Sequence, residues 1–302
     1  MKVTKIDTFA GHRDSVYCLL DSKEKNGRFY SSGADGMVVV WDLEKPDMGK
    51  LIARVGGSVY ALAFDHAAQN LWIGQNFEGV QLIKPELKQA AGSLKVTTSA
   101  IFDIQLAGNE AYLAFGDGVI AVLDVPDLLV KKHVKVADKS VRALAISNDQ
   151  AHLAAGTSDA HVRIFDRQTM QPLFNLEGHG NSVFTVRYSP DGRFLLTAGR
   201  DAHFRVWDVK QDYRLVQDVA AHMYALNHIA FSPDGSMFAT CSMDKSIKLW
   251  DAATFRLLKV IDRSRHAGHG TSVNKLLWSS FENLLLSASD DRMISVWEIS
   301  KE

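Results

Sequence analysis

The chain repeats one short motif at a nearly constant spacing, and this repeat constrains its fold more than any other feature. The motif ends at an anchor residue that Asp or Glu follows in six of the copies, as in "FRVWD" and "IKLWD". The anchors stand at positions 41, 84, 123, 165, 207, 250 and 297, which are 39 to 47 residues apart. A repeat of about 42 residues is typical of a β-propeller, in which each copy forms one four-stranded blade.

The local pattern within a copy also favours strands. The copy that ends near 220 contains the runs "SVFTVRYS", "RFLLTAG", "HFRVWDV" and "YRLVQDV", and the turn signals "PDG" and "RDA" separate the first three runs. Short runs with period-two alternation between turn residues predict antiparallel strands. Since no sustained helical period occurs along the chain, we expect an all-β protein.

Four copies carry additional polar residues at fixed offsets from the anchor. A Gly-His or Ala-His pair stands about 28 residues before the anchor, and a turn Asp stands six residues before it. With these motifs the chain resembles the WD-repeat (β-transducin-like) family over essentially its whole length. The resemblance implies a seven-bladed β-propeller of four-stranded antiparallel blades in a single domain, residues 1–302. It also implies that the N-terminal strand, in "KVTKIDTF", completes the last blade, which closes the ring and hides strand edges.

The resemblance further implies that the repeated polar residues are structural. In the family, Asp, His, Ser or Thr, and Trp form a hydrogen-bonded tetrad inside a blade, and a buried network of this kind needs all its partners. Four repeats of one catalytic triad are not expected, so we predict no catalytic residue among them. The four sets are His12, Ser31, Asp35 and Trp41; His179, Thr197, Asp201 and Trp207; His222, Thr240, Asp244 and Trp250; and His269, Ser287, Asp291 and Trp297.

Copies two to four have lost most of this set. Glu78 and Lys84 replace the Asp and the Trp in copy two, while Leu123 and Phe165 replace the Trp in copies three and four. We expect these blades to rely on apolar packing alone, and the limits of copy two are the least well defined.

One position near the start of each copy's first strand is implied by the resemblance to lie at the top mouth of the central channel. It is occupied by Tyr17, Tyr60, Phe102, Arg142, Phe184, Asn227 and Asn274. The four aromatic rings would either contact a partner, including a cationic side chain, or simply plug the channel. Four residues that precede the turn position are predicted to face the same side: Phe77, Arg200, Met243 and Asp290.

Composition excludes several classes of function. The net charge is −1 and the sequence pI is about 6.8, so a nucleic-acid partner is not expected. The two cysteines are far apart in sequence, which argues against a disulfide framework and a cysteine metal site. No apolar run approaches the length of a membrane span, and the first residues lack a signal peptide's apolar stretch. We expect a cytoplasmic monomer without metal or cofactor.

These observations predict a non-catalytic scaffold that docks a peptide or a protein partner on its top face. Two alternatives remain open at this stage. A propeller enzyme of the hydrolase or lyase type would need converging carboxylates or histidines in the channel. An architectural subunit would instead be held by its bottom or side faces.

Overall fold

The computed structural model describes residues 1–22, 26–45 and 49–300, so the end of the predicted domain, 301–302, lies outside the described residues. These residues form seven antiparallel sheets of four strands each. Blades 1 to 3 consist of β2 (Val16–Asp21), β3 (Arg28–Gly33), β4 (Met37–Asp42) and β5 (Lys50–Arg54); β6 (Val59–Asp65), β7 (Asn70–Gln75), β8 (Gly79–Lys84) and β9 (Gln89–Leu94); and β10 (Ile101–Ala107), β11 (Glu110–Phe115), β12 (Val119–Asp124) and β13 (Leu129–Lys135).

The remaining blades follow the same order from the channel outwards. Blades 4 to 6 consist of β14 (Val141–Ile146), β15 (His152–Thr157), β16 (Val162–Asp166) and β17 (Pro172–Leu176); β18 (Val183–Tyr188), β19 (Phe194–Gly199), β20 (His203–Asp208) and β21 (Arg214–Ala220); and β22 (Leu226–Phe231), β23 (Met237–Ser242), β24 (Ile247–Asp251) and β25 (Leu257–Ile261). Blade 7 consists of β26 (Val273–Trp278), β27 (Leu285–Ser289), β28 (Met293–Ser300) and β1 (Lys2–Ala10). The predicted seven-bladed propeller is therefore confirmed.

Helix is confined to three short segments of the described chain. One α-helix, α1, spans Arg263–His266, and two 3₁₀ turns span Val209–Gln211 and Phe281–Asn283. No helix among residues 1–22, 26–45 and 49–300 has the length and apolar character needed to cross a membrane.

The ring closes through the pairing of β1 with β28. The register runs from Lys2 opposite Ser300 to Ala10 opposite Met293, with one bulge at Ile6. Because β1 comes first in the sequence and blade 7 comes last, this pairing covers the free edge of β28 and joins the two ends of the chain. The predicted closure by the N-terminal strand is confirmed.

The apolar core lies between neighbouring blades. At the closing junction, Phe9 of β1 is 2% exposed and packs edge-on against Phe29 and Trp41 of blade 1, with ring centroids 5.5 and 5.3 Å apart. The second strand of each blade is buried almost throughout, as in β11 and β23, whereas outer strands such as β13 are mostly exposed. Burial against both neighbours explains why the second strands are apolar without strict alternation.

Every inner strand begins with the same irregularity. In all seven blades the pairing between the inner strand and the second strand shifts in register at the second residue of the inner strand. That residue has no partner opposite it on the second strand. A bulge of this kind bends the strand and re-aims side chains. The inner strands begin at one end of the ring, which we call the top face, so the bulges surround the channel at that end.

The closing junction generates a stability prediction. Phe9→Ala removes a ring that contacts both the last and the first blade, and we expect it to lower the free energy of unfolding by about 3–5 kcal/mol. Ile6→Ala on the same strand is the matched control, because Ile6 is 47% exposed and unpaired in the register. The control is expected to change stability by about 0.5 kcal/mol or less. Urea unfolding measures both values, and equal effects of the two variants would contradict this account of closure.

Candidate functional site

All four polar sets form hydrogen-bonded tetrads inside their blades. In blade 5 the Nδ1 atom of His179 lies 3.0 Å from the Asp201 carboxylate, and its Nε2 atom lies 2.8 Å from Thr197 Oγ1. Trp207 Nε1 donates to the same hydroxyl at 2.9 Å. The sets of blades 1, 6 and 7 have the same connections. The hydroxyl links imidazole and indole, so each tetrad connects the top turn to the third strand.

The tetrad environment sets the protonation of its members. Burial alone would raise the pKa of Asp201, but hydrogen bonds from His179 and Arg205 outweigh it, so this pKa lies well below its usual value. Asp244 is held low in the same way by His222 and Ser246. Burial lowers the pKa of His179 and of His222 despite the neighbouring carboxylates. These tetrads therefore pair an ionised Asp with a neutral His at neutral pH.

Blade 4 has a substitute network. Arg163 donates to the Asp159 carboxylate at 2.7 Å, and the Thr157 hydroxyl donates to the same group. Burial would raise the pKa of Asp159, yet these two donors hold it low. The expectation that copy four relies on apolar packing alone is wrong, because Arg163, four residues after the turn Asp, supplies the donor to the carboxylate that the His supplies in the tetrads.

The tetrads predict that stability falls on acidification. Because the pKa of His179 and of His222 is lower in the folded protein, the unfolded chain binds more protons below its own His value of about 6.5. Stability present above that value is lost as the pH falls, and the low pKa of Asp201 and of Asp244 extends the loss below about pH 4. We expect the melting temperature to decrease from pH 7.5 to 5.5 and again below pH 4. A His222→Gln variant should show a weaker dependence above pH 5.5, whereas a constant wild-type melting temperature would contradict the assignment.

The seven residues of the bulge position converge on one cavity at the top of the channel. The cavity has a volume of about 280 Å³, and all seven line it: Tyr17, Tyr60, Phe102, Arg142, Phe184, Asn227 and Asn274. Each is half-buried, whereas the residue before it in the chain is completely buried between blades. The bulge therefore separates an anchoring side chain from one that faces the opening. We call this cavity the mouth.

The mouth is aromatic on one side and polar on the other. Tyr17 stacks on Tyr60 at 5.2 Å between centroids, and Tyr60 contacts Phe102 at 5.4 Å. Across the opening, Asn227 donates to the Val273 carbonyl at 2.8 Å, and Asn274 donates to Asp290 at 2.7 Å. The rings and amides are thus held by their neighbours before any ligand is present, which reduces the entropy lost on binding.

The guanidinium group of Arg142 lies over two of the aromatic rings of the mouth. Its guanidinium carbon lies 3.9 Å from the centre of Phe102 and 5.2 Å from that of Phe184. Stacking of this geometry is a favourable cation–π contact. The aromatic side of the mouth therefore already holds a cation supplied by the protein.

Six further residues line the mouth, and sequence reasoning missed them: the small side chains of Ala143 and Thr185, and the larger polar ones of Asp103, Arg187, His228 and Lys275. Asp103, His228 and Lys275 directly follow a mouth residue, and strict alternation would turn them away from it. The bulge lets both residues face the channel. The sequence signal is that Asp, His and Lys occupy a position where the other blades have small side chains, namely Cys18, Ala61, Ala143 and Thr185.

The second predicted set lies around the mouth on the top face. Phe77 and Met243 are 58% and 53% exposed, and Arg200 and Asp290 are also exposed. None of the four lines the cavity, but Asp290 contacts it through Asn274.

Met243 belongs to an exposed apolar group that the sequence analysis did not find. Met223 and Tyr224, which are 83% and 62% exposed, belong to a loop whose backbone is adjacent to Met243, because the Met243 amide donates to the Ala225 carbonyl of that loop. We call Met223, Tyr224 and Met243 the apolar patch.

Two histidines outside the tetrads and the two cysteines have no site role among the described residues. His203 pairs with Asp218 at 2.6 Å, and His161 lies 3.5 Å from Asp159, so each histidine has a local acidic neighbour. Within the described residues, no group of three or more His, Cys, Asp or Glu side chains is arranged to hold a metal ion. Cys18 and Cys241 are buried free thiols.

Comparison with known proteins agrees with the fold. The WD domain, G-beta repeat family matches residues 3–42, 130–166, 170–208, 213–251 and 262–298. The solved WD40 β-propeller domain of Doa1 superposes with a TM-score of 0.85 at 15% identity, over 99% of this chain and 98% of that one. At this identity the likeness shows the fold alone.

Related sequences span different shares of the chain. WD repeat-containing protein SL1-17 of Schistosoma mansoni is 26% identical over 225 residues, which cover 72% of this chain and 73% of the relative. Periodic tryptophan protein 2 homolog of Mus musculus is 22% identical over 68% of this chain, a match that covers 24% of that protein. The target of rapamycin complex subunit wat1 of Schizosaccharomyces pombe is 36% identical over 84 residues, 27% of this chain and 26% of that one.

Relatives of this kind typically act as scaffolds for protein interactions, and they are generally not enzymes. The repeat match, the seven blades and the four tetrads together show that the chain belongs to the WD-repeat family.

Proposed function

We propose that the protein docks a peptide segment or a protein partner on its top face, around the mouth. The observation that carries this proposal is the convergence of seven equivalent bulge residues, four of them aromatic, around one cavity open to that face. Aromatic side chains in a preformed depression are the residues that contribute most to binding energy in protein interfaces.

The apolar patch supports the same face. Most other exposed large apolar side chains lie along outer strands at the side of the ring, for example Leu129 and Val130 of β13. The patch instead groups three exposed side chains beside the start of β22, next to the mouth residue Asn227. Grouped exposed apolar side chains with a polar surround are typical of a protein contact surface.

The geometry favours binding over catalysis in the channel. The only carboxylate among the described residues of the mouth is Asp103, and its oxygens accept hydrogen bonds from the backbone amides of Ile104 and Leu144. A carboxylate used in this way is poorly placed to act as a general base.

We also propose that the protein works in the cytoplasm, since both cysteines are free thiols, as is usual in a reducing compartment.

Affinity capture from the source cells tests the docking face. The tagged full chain is compared with two top-face variants, Tyr17→Ala/Phe184→Ala in the mouth and Met223→Ser/Tyr224→Ser in the patch. Leu129→Ser/Val130→Ser is the matched control, because it also removes two large apolar side chains, both of them exposed, but lies on an outer strand. Melting temperatures establish that all variants are folded, and quantitative mass spectrometry compares the captured proteins.

We expect partners that wild type and control retain to be depleted in both top-face variants, since truncating an aromatic contact residue commonly weakens binding by about tenfold or more. Partners lost only in the outer-strand control would contradict the proposal and favour an architectural subunit held at its side. Partners retained equally by all three variants would contradict it as well.

A further inference from the structure

The mouth carries an excess of positive charge. Arg142 from β14, Arg187 from β18 and Lys275 from β26 line it together, and Asp103 is the single carboxylate among the described lining residues. This concentration is local, because the whole chain has a net charge of −1. A depression lined by one sign of charge with low-dielectric walls attracts the opposite charge.

Two of the three cations are held by neutral groups. Arg187 donates to His228 Nε2 at 2.8 Å and to the Val186 carbonyl at 3.1 Å. Arg142 rests on the rings of Phe102 and Phe184. Within the part of the chain that the structure describes, none of these cations is paired with a carboxylate in a salt bridge.

Asp103 offsets only one of these three positive charges, and its oxygens are engaged by amide donors rather than by a salt bridge. One oxygen accepts from the Ile104 amide at 2.9 Å and from the Gln105 side chain at 3.2 Å, and the other accepts from the Leu144 amide at 2.8 Å. Burial and the charge of Arg187 lower the pKa of Lys275, an effect that Asp103 opposes only in part. A second anion beside Lys275 would favour its charged form.

This arrangement disfavours a cationic guest. The ring faces that could hold an incoming cation already hold Arg142, and Lys275 and Arg187 would repel a second positive charge. The reading of the rings as a cage for a basic side chain therefore does not fit the electrostatics of the mouth.

We propose that the mouth accepts an acidic side chain of a partner polypeptide, whose carboxylate enters between Arg142, Arg187 and Lys275. The inference rests on the proposed docking function and names the chemistry of the partner. An acidic side chain, rather than a free anion, is the occupant because the apolar patch lies on the same face and offers contact to residues that flank the acid. Charge-assisted hydrogen bonds to a carboxylate in a partly buried site are about twice as strong as neutral ones.

The probe is a library of random peptides displayed on phage and fused through their C termini, so that any carboxylate they offer comes from Asp or Glu. Peptides are selected on the full chain and then counter-selected on the Tyr17→Ala/Phe184→Ala variant. We expect the retained peptides to share an acidic residue. Synthetic copies with an amidated C terminus, and copies in which that acid is replaced by its amide, are then compared by calorimetry, and we expect the amide copies to bind at least about tenfold more weakly.

Variants of opposite sign separate charge recognition from damage to the fold. Lys275→Gln should weaken binding of the acidic peptide by about tenfold or more, whereas Asp103→Asn, which removes the competing carboxylate, should strengthen it. Lys139→Gln is the matched control, since Lys139 is an exposed cation in the loop before β14 that does not line the mouth. We expect this control to alter affinity by less than about twofold.

The outcomes are distinguishable. Peptides that need the mouth but bind equally well as acid and amide would overturn this inference and leave the docking function intact. Failure to select any peptide that depends on the mouth would count against both proposals. Displacement of the peptide by sodium acetate or phosphate at matched concentration would show that a small anion suffices and would also overturn the inference.

Discussion

Burial of each blade between its two neighbours is the constraint on which the rest of the structure depends. A propeller blade has two apolar faces, so each junction covers two surfaces, and a single open junction would expose both. Six junctions join blades that are consecutive in the chain. The seventh joins blade 7 to blade 1. There β1 pairs with β28 to complete blade 7, and Phe9 of β1 packs on Phe29 and Trp41 of the first blade. The ring is complete only because these two ends of the chain meet.

The polar networks are added to this apolar framework unevenly. Blades 5, 6, 7 and 1 are adjacent in the closed ring, and they are the blades with complete tetrads. Blades 2 to 4 form the opposite arc, where blade 4 uses Arg163 and Asp159 instead. Strand pairing is nevertheless the same in all seven, so a tetrad is not needed for a blade to form. Its contribution is to tie the top turn to the third strand, which gives the top face fixed geometry at those blades.

The bulge at the start of every inner strand connects this framework to function. Because one residue is left out of the ladder, two consecutive side chains reach the channel, one at the opening and one just below it. The upper layer supplies rings and amides, and the lower layer supplies Asp103, His228 and Lys275. The mouth therefore combines an aromatic entrance with a basic interior, and the apolar patch lies on the same face.

The sequence by itself determined the number of blades, because a repeat can be aligned copy against copy, and its resemblance to the WD-repeat family identified the tetrads and the seven mouth positions in that alignment. It also placed the N-terminal strand in the last blade. Only the tertiary structure decided which charges meet in the channel, since Arg187 and Lys275 come from blades 5 and 7 and their convergence depends on ring closure and on the bulges. The contact of Arg142 with Phe102 and the patch of Met223 beside Met243 were decided there as well. Contacts between residues of different repeats leave no periodic signal in the chain, which is the physical reason that the sequence alone did not predict them.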